Sequence, residues 1–169
     1  FVMPAAIDKA IYFAIELRDD EQILLYSTDY DQTYSTTLST LEKPSIAWPK
    51  YQLGVVDQLL KKGHKIKGFQ ATFGGDVPSG AGLSSSAALE CCLMYALSEL
   101  NDLALDKETI AKLSQKAENE YVGLNCGIMD QFASVFGKKE AVIRIDCRDL
   151  TYTYFPFSME EYVIVLCDT

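Results

Sequence analysis

The sequence holds a single histidine, a single tryptophan, no C-x-x-C pair among its cysteines and no lysine anywhere from Asp76 to Leu100. Each absence removes a class of chemistry. His64 sits beside Gly63 in a basic turn with Lys61, Lys62, Lys65 and Lys67, which reads as a solvated loop, so a Ser-His-Asp triad finds little support. The cysteine spacing gives neither a zinc site nor a redox pair. No apolar run approaches the length of a bilayer span. Basic residues number 15 against 24 acidic ones, and the net charge of −9 argues against nucleic acid or an anionic membrane surface as partner.

What is present fits a globular chain. With 169 residues and an apolar fraction of 49%, it is long enough for one domain with a real core. Five cysteines, an odd number, and a start without a signal-peptide pattern predict reduced thiols in a cytoplasmic setting. The chain opens on Phe1-Val2-Met3-Pro4 and stops at Asp168-Thr169, straight after an apolar strand over 162–166. Both ends read as cuts through a longer protein.

The organising stretch is Pro78-Ser79-Gly80-Ala81-Gly82-Leu83-Ser84-Ser85-Ser86-Ala87-Ala88-Leu89. Its glycines let the backbone approach a ligand closely. Leu83, Ala87, Ala88, Leu93 and Leu97 then follow at helical spacing. A glycine turn that opens a helix aims unpaired N–H groups and the positive end of the helix dipole at one point, which suits a phosphate. The three serines add hydroxyls for phosphate oxygens or a magnesium ion. Three familiar patterns are excluded. The P-loop lysine is missing, the third glycine of a dinucleotide fingerprint is replaced by Ser85, and a nucleophile elbow would need glycine at Ser86. The plainer alternative is a helix started by glycines and capped by a serine.

The remaining pattern predicts an α+β order. Strands are expected at 9–16, 22–27 and 33–38, with Asp19-Asp20-Glu21 as the turn of a hairpin between the first two. A helix is expected at 48–62, with Pro49 in its first turn and Gly63 closing it. Trp48 reads as core, or as a platform for a flat ligand at the helix start. A strand at 68–73 leads through Gly74-Gly75-Asp76 into the serine loop and the helix that runs to about Leu100. Asp106 caps the next helix, which turns Ile110, Leu113, Ala117 and Tyr121 inward. Glu118 lies beside that stripe, and spacing alone makes it a surface carboxylate. After a break at 123–127, a short helix at 128–136 carries Asp130 in its first turn, where an acidic residue offsets the helix dipole. Strands at 141–145, 152–155 and 162–166 finish the chain.

Combined chemistry points further. A serine hydroxyl and one carboxylate make a reasonable magnesium pair, since that ion takes few protein ligands beside phosphate and water oxygens. A second carboxylate can accept a hydroxyl proton as phosphate is transferred. Glu118 and Asp130 are the candidates, if the fold returns them to the loop. The reading is a small-molecule kinase without a P-loop.

Several motifs in order then resemble one family. Residues 78–88 resemble the second motif of the GHMP small-molecule kinases, and within that superfamily the chain is similar to the galactokinase family. Cys126-Gly127-Ile128-Met129-Asp130-Gln131-Phe132 resembles the segment that holds the catalytic aspartate. Gln115-Lys116-Ala117-Glu118-Asn119 resembles the helix supplying the magnesium-side carboxylate. Ile145-Asp146-Cys147-Arg148 and Phe1-Val2-Met3-Pro4-Ala5-Ala6-Ile7 also fit. The resemblance implies the ribosomal protein S5 domain 2-like fold of the GHMP kinase N-terminal domain, truncated at both ends. It implies ATP-dependent phosphorylation of the anomeric hydroxyl of galactose. Asp130 would be base or hydroxyl-orienting group, Gly127 would lie against the sugar, residues 80–86 would wrap the ATP phosphates, and Ser86 with Glu118 would hold Mg2+. Trp48 matches a tryptophan near the adenine pocket.

The same resemblance places the arginine and acidic residues that grip the sugar ahead of Phe1, and a third glycine-rich motif in a C-terminal domain after Thr169. Residues 1–169 alone are therefore expected not to turn over galactose. The rival readings are a related kinase for another sugar or alcohol, and a non-catalytic sugar- or nucleotide-binding paralogue.

Overall fold

The computed structural model describes residues 1–78, 82–158 and 165. Three strands come first: β1 (Ile11–Leu17), β2 (Gln22–Ser27) and β3 (Gln32–Thr37). Helix α1 (Pro49–Lys61) and strand β4 (Phe69–Gly75) follow. Helix α2 (Ser85–Leu100) precedes α3 (Lys107–Lys116), which continues as widened π turns over Ala117–Val122. Helix α4 (Met129–Phe136), β5 (Ala141–Ile145) and β6 (Tyr152–Pro156) complete the described chain. The strand expected at 162–166 lies outside the described residues, Val165 excepted.

The helix ends are set by local chemistry. Proline occupies the first turn of α1. At its far end Gly63 N–H donates to the Leu60 carbonyl at 2.9 Å and His64 N–H to Leu59 at 3.1 Å, the paired bonds of a glycine-terminated helix. Asp106 accepts from Thr109 N–H at 2.7 Å and caps α3.

The sheet corrects one expectation. The order is β1-β4-β2-β3, so β1 and β2 do not form a hairpin. Strand β4 inserts between them, antiparallel to β1 and parallel to β2, with Phe69 opposite both Leu17 and Ile23. The intervening turn closes over the start of β4 instead. Arg18 N–H donates to the Gly68 carbonyl at 2.8 Å, and a Cβ on Gly68 would collide with the Asp20 carbonyl. The insertion is favoured because β4 alternates, turning Phe69, Ala71 and Phe73 into the core. Only β2 and β3 make a hairpin of sequence neighbours in this sheet.

Ile23, Leu25 and Phe69 from the sheet pack with Leu53, Val56 and Leu59 of α1 and Leu93, Met94 and Leu97 of α2. Each such burial contributes roughly 1.5–3 kcal/mol. A second, smaller core stacks Phe132 on Phe136 at 4.2 Å between ring centres and covers Ile143 and Ile145. The start of the chain joins it, with Val2 and Ala5 bridging to Ile145 and Val142.

Helix α1 packs against the π turns at Gly54. A Cβ there would lie 3.1 Å from the Ala117 carbonyl oxygen and 3.3 Å from the Tyr121 Cβ. Glycine lets α1 press directly on the π turns, and so fixes the depth at which Glu118 sits.

Candidate active site

Two residues with left-handed backbone stand just before α2. Gly82 takes φ +71° and Ser84 takes φ 58° in the left-handed region. Serine is uncommon in that conformation, which costs of order 1–3 kcal/mol and concentrates at ligand-contacting turns. The Ser84 hydroxyl makes no capping bond to the helix. Among the described residues the first N–H groups of α2 therefore keep no side-chain cap, contrary to the serine-cap alternative. Ser79, Gly80 and Ala81 lie outside the described residues; Pro78, Gly82, Leu83, Ser84, Ser85 and Ser86 lie within them.

Glu118 is also placed differently from what spacing predicts. It is 6% exposed and not a surface carboxylate. The π turns carry more residues per turn than an α-helix, with Gly123 N–H donating to the Glu118 carbonyl at 3.0 Å, so the 3.6-residue period misplaces it. Its Oε1 accepts from Ser86 Oγ at 2.9 Å. Its Oε2 accepts from Gln131 Nε2 at 2.8 Å and from Cys126 Sγ at 3.4 Å. Gln131 follows Asp130 on α4. One carboxylate thus ties the serine helix to the helix of the second carboxylate.

Asp130 is half-buried and, together with Gly82, Leu83 and Ser84, lines a cleft of about 700 Å³. Lys9 and Lys107 border the same cleft. Among the described residues the Asp130 carboxylate has no hydrogen-bonded or ion-paired side-chain partner, although it stands in the first turn of a helix. It is free to accept a proton or a hydroxyl hydrogen from a ligand. Ser86, Glu118 and Gly127 do not line this cleft. Gly127 is exposed, and a Cβ built on it would meet nothing within 4 Å. Trp48 is placed in the core at 6% exposed, its Nε1 donating to Gln32 Oε1 at 3.0 Å, with Tyr30, Tyr34 and Phe73 around its rings. Of the two readings of Trp48, these contacts match the core one.

Sequence reasoning missed Glu90, Asn119, Cys126 and Gln131. Glu90 lies four residues after Ser86 and is fully buried. Among the described residues neither of its carboxyl oxygens meets a hydrogen-bond partner of good geometry. Burial, and then the neighbouring Glu118 charge, push its pKa up to about 10. The same two causes push the Cys126 thiol up to about 11, so it stays a proton donor toward Glu118. A carboxylate inside the otherwise apolar α2 was the available signal for Glu90.

Comparisons with known proteins identify the family. The family model described as GHMP kinases N terminal domain matches residues 50–138. The chain belongs to the GHMP kinases. It is 40% identical over 170 residues to the galactokinase of Clostridium tetani, covering 99% of this chain and 43% of that protein. It is 43% identical over 165 residues to the galactokinase of Pyrococcus furiosus, covering 98% and 46%. A crystal structure of Lactococcus lactis galactokinase complexed with galactose superposes with a TM-score of 0.89 at 34% identity, covering 94% of this chain and 42% of that one. The chain spans under half the length of these relatives. The architecture is the α+β fold of the GHMP kinase N-terminal domain.

Proposed function

We propose that this chain is the N-terminal ATP-binding and catalytic domain of a galactokinase, transferring the γ-phosphoryl group of ATP to the anomeric hydroxyl of galactose. The relatives at 40% and 43% identity carry that name, and the similar Lactococcus lactis enzyme was crystallised with galactose. The observation that carries the reading is the Glu118 bridge. It joins Ser86, two residues past the open helix mouth, to Gln131, the neighbour of Asp130.

In this reading the ATP phosphates lie across the uncapped start of α2, where the N–H groups of 84–87 and the helix dipole favour negative charge. Asp130 accepts the proton of the anomeric hydroxyl as its oxygen forms a bond to the γ-phosphorus. The bond from that phosphorus to the bridging oxygen breaks, and ADP leaves. Gly127 offers an open backbone to the sugar. Ser86 Oγ and Glu118 Oε1, 2.9 Å apart, are a hydroxyl and a carboxylate of the kind that hold Mg2+ beside phosphate oxygens. When bound, that ion would neutralise the phosphate charge. The four described cysteines are free thiols, in keeping with a reducing cytoplasm.

The test is a substrate panel on the full-length enzyme that contains this chain, with Mg-ATP and product read by phosphorus NMR. Galactose 1-phosphate is the expected product. Phosphorylation of another sugar or alcohol with galactose left untouched would assign a different acceptor, and ligand binding without product would make the protein a non-catalytic paralogue.

A further inference from the structure

Residues 123–127, between the π turns and α4, form no regular element. Backbone bonds hold their start, with Gly123 and Leu124 N–H donating to the Glu118 carbonyl at 3.0 and 3.1 Å and Cys126 N–H to the Leu124 carbonyl at 3.2 Å, and side chains from the preceding helix hold their far end at Cys126. The Cys126 N–H donates to Asn119 Oδ1 at 2.9 Å, and Asn119 Nδ2 donates back to the Cys126 carbonyl at 3.3 Å. The side-chain amide thus pairs with both ends of one residue, as a neighbouring strand would. Gln115, one helical turn earlier, donates Nε2 to the same carbonyl at 3.1 Å. The Cys126 thiol adds a contact to Asn119 Oδ1 at 3.2 Å. Asn119 adjoins Glu118, so one helical segment holds the phosphate-side carboxylate with one residue and the sugar-side turn with the next. Gly127 follows the clamped residue directly, and Asp130 comes three residues later on α4.

We propose that Asn119, assisted by Gln115, is a positioning residue for the reaction: it clamps the Cys126 backbone and thereby sets where Gly127 and Asp130 meet the sugar. This role rests on the galactokinase reading. Neither side chain needs to touch substrate. Its action is on the spacing between base and phosphate, where a displacement of about 1 Å can cost on the order of a hundredfold in rate.

The experiment compares Asn119→Ala, Asn119→Asp and Gln115→Ala in the full-length enzyme. Asn119→Ala should lower kcat/KM for galactose by roughly ten- to a hundredfold, with the KM for Mg-ATP changed by less than about twofold. Asn119→Asp keeps the acceptor and loses the donor, and should fall between wild type and alanine. Gln115→Ala leaves the Asn119 pair intact and should give the smallest loss. Amide hydrogen exchange across 123–128 should quicken in Asn119→Ala, with exchange in β4 unchanged. An equal rise in both KM values, or an unaltered KM and kcat for galactose, would overturn the proposal. Should the unsubstituted enzyme fail to phosphorylate galactose, the functional reading falls instead. Hydrogen exchange then decides the clamp alone, and unchanged protection in Asn119→Ala would refute it. If Asn119→Ala does not fold, Asn119→Asp and Gln115→Ala carry the same comparison.

Discussion

The Ser86 hydroxyl donates to Oε1 of Glu118 at 2.9 Å, joining residues 32 positions apart in the chain. This bond makes the glycine-serine stretch more than a helix start, because Glu118 is itself tied through Gln131 to the helix of Asp130. Glu118→Gln in the full-length enzyme should lower kcat by roughly a hundredfold, the usual cost of removing one preorganised electrostatic group. Ser86→Ala should raise the Mg2+ concentration that half-saturates the rate. An unchanged magnesium dependence in both variants would remove the pair from the ion's coordination.

Asp130→Asn keeps the size of the side chain and removes the proton acceptor. It should abolish turnover while ATP binding, followed by calorimetry, stays close to wild type. Retention of near-normal kcat would take Asp130 out of the chemistry.

Gly127→Ala separates fold from ligand. The added methyl meets nothing within 4 Å among the described residues, so thermal stability should not fall. The KM for galactose should rise by roughly tenfold, a loss of about 1.4 kcal/mol in sugar binding. An unchanged KM would place the sugar elsewhere.

Glu90 gives a pH-dependent prediction. Its folded pKa, about 10, lies above the ordinary carboxyl value, so the native state holds a proton that the unfolded chain releases. Stability from this group is complete below the unfolded pKa near ~4.3 and declines as pH rises toward the folded value. Glu90→Gln is neutral in both states and removes the decline. The melting temperature of Glu90→Gln should match wild type near pH 4 and exceed it increasingly up to pH 9. A constant difference across that range would mean that Glu90 is ionised in the fold.

Much of the fold was legible in the residues. Caps and apolar periods located α1, α2 and α3, because those signals act over a few neighbouring positions. The insertion of β4 between β1 and β2 was not legible, since pairing of Phe69 with Leu17 and Ile23 is settled by burial across the whole sheet. Glu118 was misplaced by periodicity because its helix widens at that residue. By position Asp130 is a dipole-offsetting acid; the motif at 126–132 singles it out, and in the structure its carboxylate lines the cleft without a side-chain partner among the described residues. Asn119 and Gln131 stand in the quoted motifs without a role of their own; their roles come from what stands opposite them.

The widened turns over Ala117–Val122 behave like one surplus residue wound into a helix. Removing one residue there would let the coil tighten to ordinary pitch; the surplus residue is what the wide turns absorb, so the chain downstream would keep its heading while Glu118 and Asn119 lost the turns that seat them. Members of this family should tolerate length changes in the loop at 101–105 far more readily than at 117–122, and a library of single-codon deletions in the full-length protein, scored by soluble expression, would expose that contrast.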